Sequence, residues 1–217
     1  LALNHYYLAR AHLARGDQLA AQKSYQNALQ LDPSLKQAKL ELAAASGQKP
    51  DEQALAARLQ ELREALQKDP NNISLRYGLA QALLAKNQMK DAEAELRKIL
   101  DTAPTFAPAN YTLALIRFQE RKEEEAVEHL KAVVRANPSH VEANLLLATH
   151  YEAKGKREPA IGHLEAVLRL NPELPGPKLR LAGLYGQTGR IAEGIARAKE
   201  VVAAHPKAPE GHLVLGN

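Results

Sequence analysis

The chain has 217 residues, 45% hydrophobic and 25% charged, so it is long enough to bury a core and its composition is globular. It contains no cysteine, which excludes disulfides and thiolate metal sites, and a formal net charge of +4 is too weak and too dispersed to point to nucleic acid or an anionic membrane. No apolar run reaches the roughly 18 residues that a membrane-spanning helix needs, while the good helix formers Ala, Leu, Gln, Glu, Lys and Arg dominate.

Prolines stand at 33, 70, 104, 138, 172 and 206, at intervals of 37, 34, 34, 34 and 34. A fixed period of this size is the signature of a repeat array. With each proline as position 32, the units are 2–35, 36–72, 73–106, 107–140, 141–174 and 175–208, with a fragment at 209–217. Each unit is expected to be two helices and two turns. In the first unit Leu8 and Ala9 lie on the first helix, Gly16 in the turn, and Ala21 and Tyr25 on the second helix. The second unit keeps Leu42 and Ala43 but has three extra residues, giving a longer turn over 46–51 and a longer second helix over 51–68. Leu55, Leu59, Leu62 and Leu66 form its stripe, and Arg58 takes the place of the small residue. Two readings stay open for that unit: an insertion tolerated because loop lengthening costs little, or a change of curvature that creates a docking edge.

The third unit carries Leu79, Ala80, Asn87, Ala92 and Leu96; the fourth Leu113, Ala114, Ala126 and Leu130, with Arg121 departing from the Gly/Asn turn column. Glu123, Glu124 and Glu125 open its second helix, where negative charge favours the macrodipole. The fifth has Leu147, Ala148, Tyr151, Gly155, Pro159, Ala160 and Leu164; the sixth Leu181, Ala182, Tyr185, Gly189, Gly194 and Ala198; the fragment Leu215 and Gly216. Small residues let two helix backbones approach, and the large ones opposite fill the gap. Gly and Asn in the turn tolerate the left-handed backbone that ends a helix. The proline stops the second helix, and Ser34 with Gln37, like Ser139 with Glu142, has capping-box spacing.

These columns resemble tetratricopeptide repeats: small residues at 8 and 20, Tyr151 and Tyr185 at 11, apolar 24 and Pro at 32. The family's Trp at position 4 is replaced by His5, Lys39, Arg76, Asn110, Asn144 and Lys178. The resemblance implies an all-α fold, a right-handed α-solenoid of about six helix-turn-helix repeats plus a partial seventh. It also implies that first helices line a concave groove for a partner's peptide or helix, through positions 2, 5, 9, 12 and 13. The groove residues are then Tyr6, Arg10, Tyr77, Gln81, Leu84, Tyr111, Leu115, Phe118, Gln119, Leu145, Thr149 and Glu152. Tyr6, Tyr77 and Tyr111 recur at position 5, where packing between neighbouring first helices is an equal alternative to partner contact. The chaperone-tail carboxylate clamp of the family, Lys at 5 and Asn at 9, is not matched by Tyr6 and Arg10.

Nothing assembles nucleophile, base and oxyanion donor, so no catalysis, no metal and no cofactor are expected. The zinc signature HExxH is absent, and the glycines at 183, 186 and 189 lack the strand context of a phosphate loop. Asn72 and Asn110 match the glycosylation sequon but fall where first helices begin. The expected function is a protein–protein interaction scaffold, with a protein or peptide partner, no nucleic acid and no direct membrane insertion. An anchoring or regulatory arm of a larger enzyme is the alternative, and a helical-repeat RNA binder the third reading. The chain opens at Leu1 without Met and stops in mid-pattern, and the apolar ends at 1–3 and 212–216 suggest further repeats or end-to-end self-association. The Ala/Arg/Gln-rich composition suggests a bacterial source, where such arrays serve envelope assembly, secretion or exopolysaccharide export; the sequence does not choose between periplasm and cytoplasm.

Overall fold

The computed structural model describes residues 2, 5, 6, 9, 18–46, 52–204 and 206, and among them the regular structure is entirely helical. The chain divides into two compact units, Leu1–Gln88 and Met89–Asn217. In the first unit α1 is Gln18–Leu31, α2 Lys36–Ala45, α3 Glu52–Lys68 and α4 Ile73–Ala85. In the second, α5 is Met89–Thr102, α6 Ala107–Gln119, α7 Glu123–Ala136, α8 Val141–Ala153, α9 Arg157–Leu170, α10 Pro175–Gln187 and α11 Ile191–Ala204. There α6 packs on α7, α8 on α9 and α10 on α11, while α7 meets α8 and α9 meets α10, which is the stacking of an α-solenoid.

The lengths repeat because the stops repeat. Asn87, Arg121, Gly155 and Gly189 all have left-handed backbone, with φ of 60°, 60°, 68° and 80°. Each sits in the same Schellman closure. The N–H of Arg121 donates to the carbonyl of Phe118 and that of Lys122 to Arg117, and the same pair recurs as Gly155 to Glu152 with Lys156 to Tyr151. Arg121 therefore departs from the column in chemistry but not in conformation. Pro159 falls in the first turn of α9, where its missing N–H leaves no bond unmade.

The capping box expected at Ser139 does not form, while the one expected at Ser34 involves Gln37, whose side chain lies outside the described residues. The cap of α8 is His140, one residue on from Ser139, whose Nδ1 accepts from the Ala143 N–H at 3.2 Å; at the start of the third repeat Asn72 caps α4, its Oδ1 accepting from the Leu75 N–H at 3.0 Å. The serines stand outside the helices in Asx turns, Ser139 donating to Asn137 Oδ1 at 3.0 Å and Ser34 to Asp32 Oδ1 at 2.9 Å. The residue before the proline is thus a turn former in its own right.

Position 4, where the expected aromatic is missing, is a polar lock. Asn110 Nδ2 donates to the Pro104 carbonyl at 2.9 Å and Asn144 Nδ2 to Pro138 at 3.0 Å, both from buried side chains. Each Asn Oδ1 then faces a histidine Nδ1 on the second helix of its pair, His129 at 2.9 Å and His163 at 2.8 Å. Because the amide nitrogens are committed as donors, both Nδ1 atoms must donate. Lys178 holds the same place in α10, buried and paired with Glu200 at 3.1 Å. The polar side chain ties the proline turn to the helix it introduces, which satisfies carbonyls that burial would otherwise penalise.

The apolar columns form the core. Leu113, Leu147, Leu181, Ala114, Ala148 and Ala182 are buried against Ala126, Leu130, Ala160, Leu164, Gly194 and Ala198. A Cβ added to Gly194 would lie 2.8 Å from the Ala182 carbonyl oxygen, so the helices meet at backbone distance there. In α3 the register differs from expectation. Leu59 and Leu62 are buried, but Arg58 is exposed and bonded to Glu61 at 2.8 Å. The longer helix turns that arginine to solvent, so it does not hold two helices apart. The expected insertion turn at 47–51, Gly16 and the partial seventh repeat lie outside the described residues.

Candidate functional site

In the first unit the expected groove residues behave differently from one another. Tyr6 is 9% exposed and belongs to a core cluster with Tyr25, the two rings 6.0 Å apart. Their hydroxyls converge on Glu41, Tyr6 donating to Oε1 at 3.0 Å and Tyr25 to Oε2 at 2.5 Å. On α4, Tyr77 and Leu84 are half-buried and Gln81 is exposed. Arg10 lies outside the described residues.

The second unit carries the fuller constellation. On α6, Tyr111, Leu115 and Phe118 are spaced i, i+4, i+7 and so share one side of the helix. Tyr111 and Phe118 pack partly on the core beneath, while Leu115 stays 37% exposed and Gln119 is exposed beyond it. The Tyr111 ring lies 4.9 Å from that of His140. A large apolar side chain held open between two half-buried aromatic rings is the kind of surface that rigid partner contacts use.

On α8 the corresponding side is polar. Leu145 is half-buried, Thr149 exposed and Glu152 half-buried. Arg180, from α10, gathers the last two: Nε and Nη2 reach Glu152 Oε1 and Oε2 at 3.1 and 3.0 Å, and Nη2 also reaches Thr149 Oγ1 at 2.9 Å. This is a bidentate pair, fixed in geometry by two parallel bonds. Arg157, at the start of α9, donates from Nε to Gln187 Oε1 at 2.9 Å. Between these groups lies a cavity of about 270 Å³, lined by Glu152, Arg157, Leu179, Arg180, Gly183 and Gln187 among others.

Sequence reasoning selected Glu152 from this cavity and missed Arg157, Leu179, Arg180, Gly183 and Gln187 as site residues. Leu179, Gly183 and Gln187 were legible through positions 5, 9 and 13; the arginines are off those columns and come in from the side.

Two half-buried histidines, on the second helices of their pairs, have perturbed acidity. Burial holds the imidazoles of His129 and His163 below their ordinary pKa; for His129 the charge of Arg117 acts in the same direction. His163 is further covered by the stacked ring of Tyr151 at 5.6 Å. The Tyr185 hydroxyl is pushed up to about 12 by burial and by its bond to Glu165 at 2.6 Å. None of these groups opens onto the cavity just described.

Among the described residues no helix is long and apolar enough to cross a membrane. The family model described as the Tetratricopeptide repeat protein 21 C-terminal ARM domain matches residues 17–211. Solved structures similar to the chain include PilF of Pseudomonas aeruginosa, 21% identical, covering 97% of this chain and 95% of that one, with a TM-score of 0.57. PilW, titled a widely conserved type IV pilus biogenesis factor, is 20% identical over 99% of this chain and 98% of that one, with a TM-score of 0.54. MamA is 18% identical over 92% and 95%, with a TM-score of 0.52. At such identities the likeness is one of fold. No curated protein matches the sequence.

Proposed function

The chain belongs to the tetratricopeptide repeat family, through its match to the Tetratricopeptide repeat protein 21 C-terminal ARM domain, and from that premise we propose that it is a non-catalytic scaffold that holds a peptide or helix of another protein against its first helices. The observation that carries this reading is the row Tyr111, Leu115 and Phe118 on α6, which keeps a large aliphatic side chain 37% exposed between two aromatic rings. An amphipathic segment with apolar anchors at i, i+3 and i+4 spacing would bury that row. Leu145, Thr149 and Glu152 continue the surface onto α8, and Tyr77, Gln81 and Leu84 supply the equivalent positions on α4. The setting we propose is assembly of a bacterial envelope structure, the kind of work named for PilW, with which the chain shares its fold.

The test is selection of a displayed random peptide library on the whole chain, followed by titration of recovered peptides into wild type and a Tyr111/Phe118→Ala variant whose helicity is checked by circular dichroism. The proposal expects at least roughly tenfold weaker binding, since losing a buried aromatic contact typically costs more than 1 kcal/mol. Equal affinity for both proteins rejects the groove. Binding of single-stranded RNA that falls steeply with salt would favour the RNA-binding reading instead.

A further inference from the structure

Glu152 is the acidic member of the surface expected from the sequence, and a bare carboxylate there would seat a lysine or arginine of a partner. The chain itself answers that charge. Glu152 Oε1 and Oε2 accept from Arg180 Nε and Nη2 at 3.1 and 3.0 Å. Arg180 Nη2 also donates to Thr149 Oγ1 at 2.9 Å, and the Thr149 hydroxyl donates in turn to the Leu145 carbonyl at 2.9 Å. The carboxylate keeps further lone pairs, so it can still accept a hydrogen bond. What the pairing removes is its net charge.

The two charges occur together. From the third repeat to the sixth, position 12 reads Leu84, Phe118, Glu152 and Gly186, and position 6 reads Gly78, Thr112, Leu146 and Arg180. Each column is charged once, in neighbouring repeats, and there the side chains meet. With 31% of the Arg180 side chain and 28% of the Glu152 side chain exposed, a pair of this kind adds little to folding stability. Its larger effect is on what approaches. A cation brought to Glu152 also stands close to Arg180, so attraction and repulsion nearly cancel. Arg157 lines the same cavity and is bonded to the uncharged Gln187, so it adds a positive charge that this bond does not offset. The balance opposes a basic residue, and a repulsive element of this sort sets specificity by exclusion.

We propose that Arg180 is a specificity-determining residue of the binding surface: by pairing with Glu152 it excludes lysine and arginine from the place over Thr149 and Glu152, so the partner is an amphipathic segment that is not basic there. The proposal rests on the scaffold reading for its partner but makes a separate claim about one residue.

The experiment takes peptides recovered from the displayed library on the whole chain and resynthesises each as a lysine scan, one position at a time. Every peptide is titrated into wild type, Arg180→Gln and Arg180→Lys. At the position seated over α8, lysine should weaken binding to wild type about threefold or more. For Arg180→Gln, where Glu152 stands unpaired, the same lysine should strengthen binding about twofold or more. Arg180→Lys keeps the charge and should keep the discrimination of wild type, an outcome that a purely structural role for the side chain does not give. In the free chain, the Arg180 Nε–H should exchange with solvent about tenfold or more faster once Glu152→Ala removes its acceptor. A lysine scan that is the same for wild type and Arg180→Gln at every position overturns the proposal and leaves the scaffold standing. So does lysine that strengthens binding to wild type at the place where it strengthens binding to Arg180→Gln. An Arg180 Nε–H indifferent to Glu152→Ala overturns the pairing whether or not peptides bind. Recovery of no peptide, with that signal still protected, rejects the scaffold reading and with it the proposal.

Discussion

Arg121 holds a place that its neighbours give to glycine or asparagine, and substituting it tests the repeat geometry sharply. Its φ is 60°, like the φ of 68° at Gly155, and both residues close a helix through the same two hydrogen bonds. For an L-residue with a Cβ the left-handed conformation costs about 1–2 kcal/mol. Replacing Arg121 by Gly removes that strain but returns about 0.5–1 kcal/mol of unfolded-chain entropy. The side chain is exposed, so little contact energy is lost. Arg121→Gly should therefore stabilise the second unit by roughly 0.5–1 kcal/mol. In a domain of this size that raises the melting temperature by about 1–4 °C. Gly155→Arg should do the reverse by a similar amount. Thermal melts followed by circular dichroism measure both. Destabilisation by Arg121→Gly, or neutrality of Gly155→Arg, would refute the claim that the turn column is set by backbone conformation.

Other consequences follow from the same contacts. Gly194→Ala pushes a Cβ to 2.8 Å from the Ala182 carbonyl, so α10 and α11 must separate, at a cost of about 1–3 kcal/mol in a urea titration. Gly183→Ala and Gly186→Ala meet nothing and should each stabilise by about 0.5–1 kcal/mol through helix propensity, read as a raised midpoint in the same titration. For His129 and His163 the folded-state pKa lies below the unfolded value of about 6.5. The unfolded chain then binds more protons, so their contribution is complete above about pH 6.5 and is lost as pH falls through that value towards the folded pKa. Melting temperatures between pH 7.5 and 5.5 should drop less for a His129→Gln/His163→Gln variant than for wild type; parallel curves would contradict it.

The fold was legible because the repeat multiplies weak signals. One alanine on a helix says little, but Ala80, Ala114, Ala148 and Ala182 at the same position say that backbones meet there, and the contact at Gly194 is of that kind. The misread capping box at Ser139 has a local cause. Serine was matched to a motif by spacing, while an Asx turn just before it claimed its N–H and moved the cap one residue on. Half of the position-4 lock was invisible because its partner, a proline carbonyl, is backbone and leaves no trace in residue type; the other half, Asn110 with His129 and Asn144 with His163, recurs in two successive units and was there to be read. Tyr6 could not be told from Tyr111 by column, since what separates them is Glu41, a side chain from another helix that receives the Tyr6 hydroxyl. Arg180 was missed for the same reason: its importance is a bond across two helices to Glu152, not a place in the period.

The central claim is that the first-helix side of the second unit is a binding surface, and Leu115→Glu addresses it most directly. Leu115 is 37% exposed, so a charge there should leave the fold intact. Calorimetric titration of library-selected peptides should show at least about tenfold weaker binding to Leu115→Glu, because a carboxylate would have to be buried unpaired in the complex. Peptides that bind the variant as tightly as wild type, with both proteins equally helical, would contradict the account.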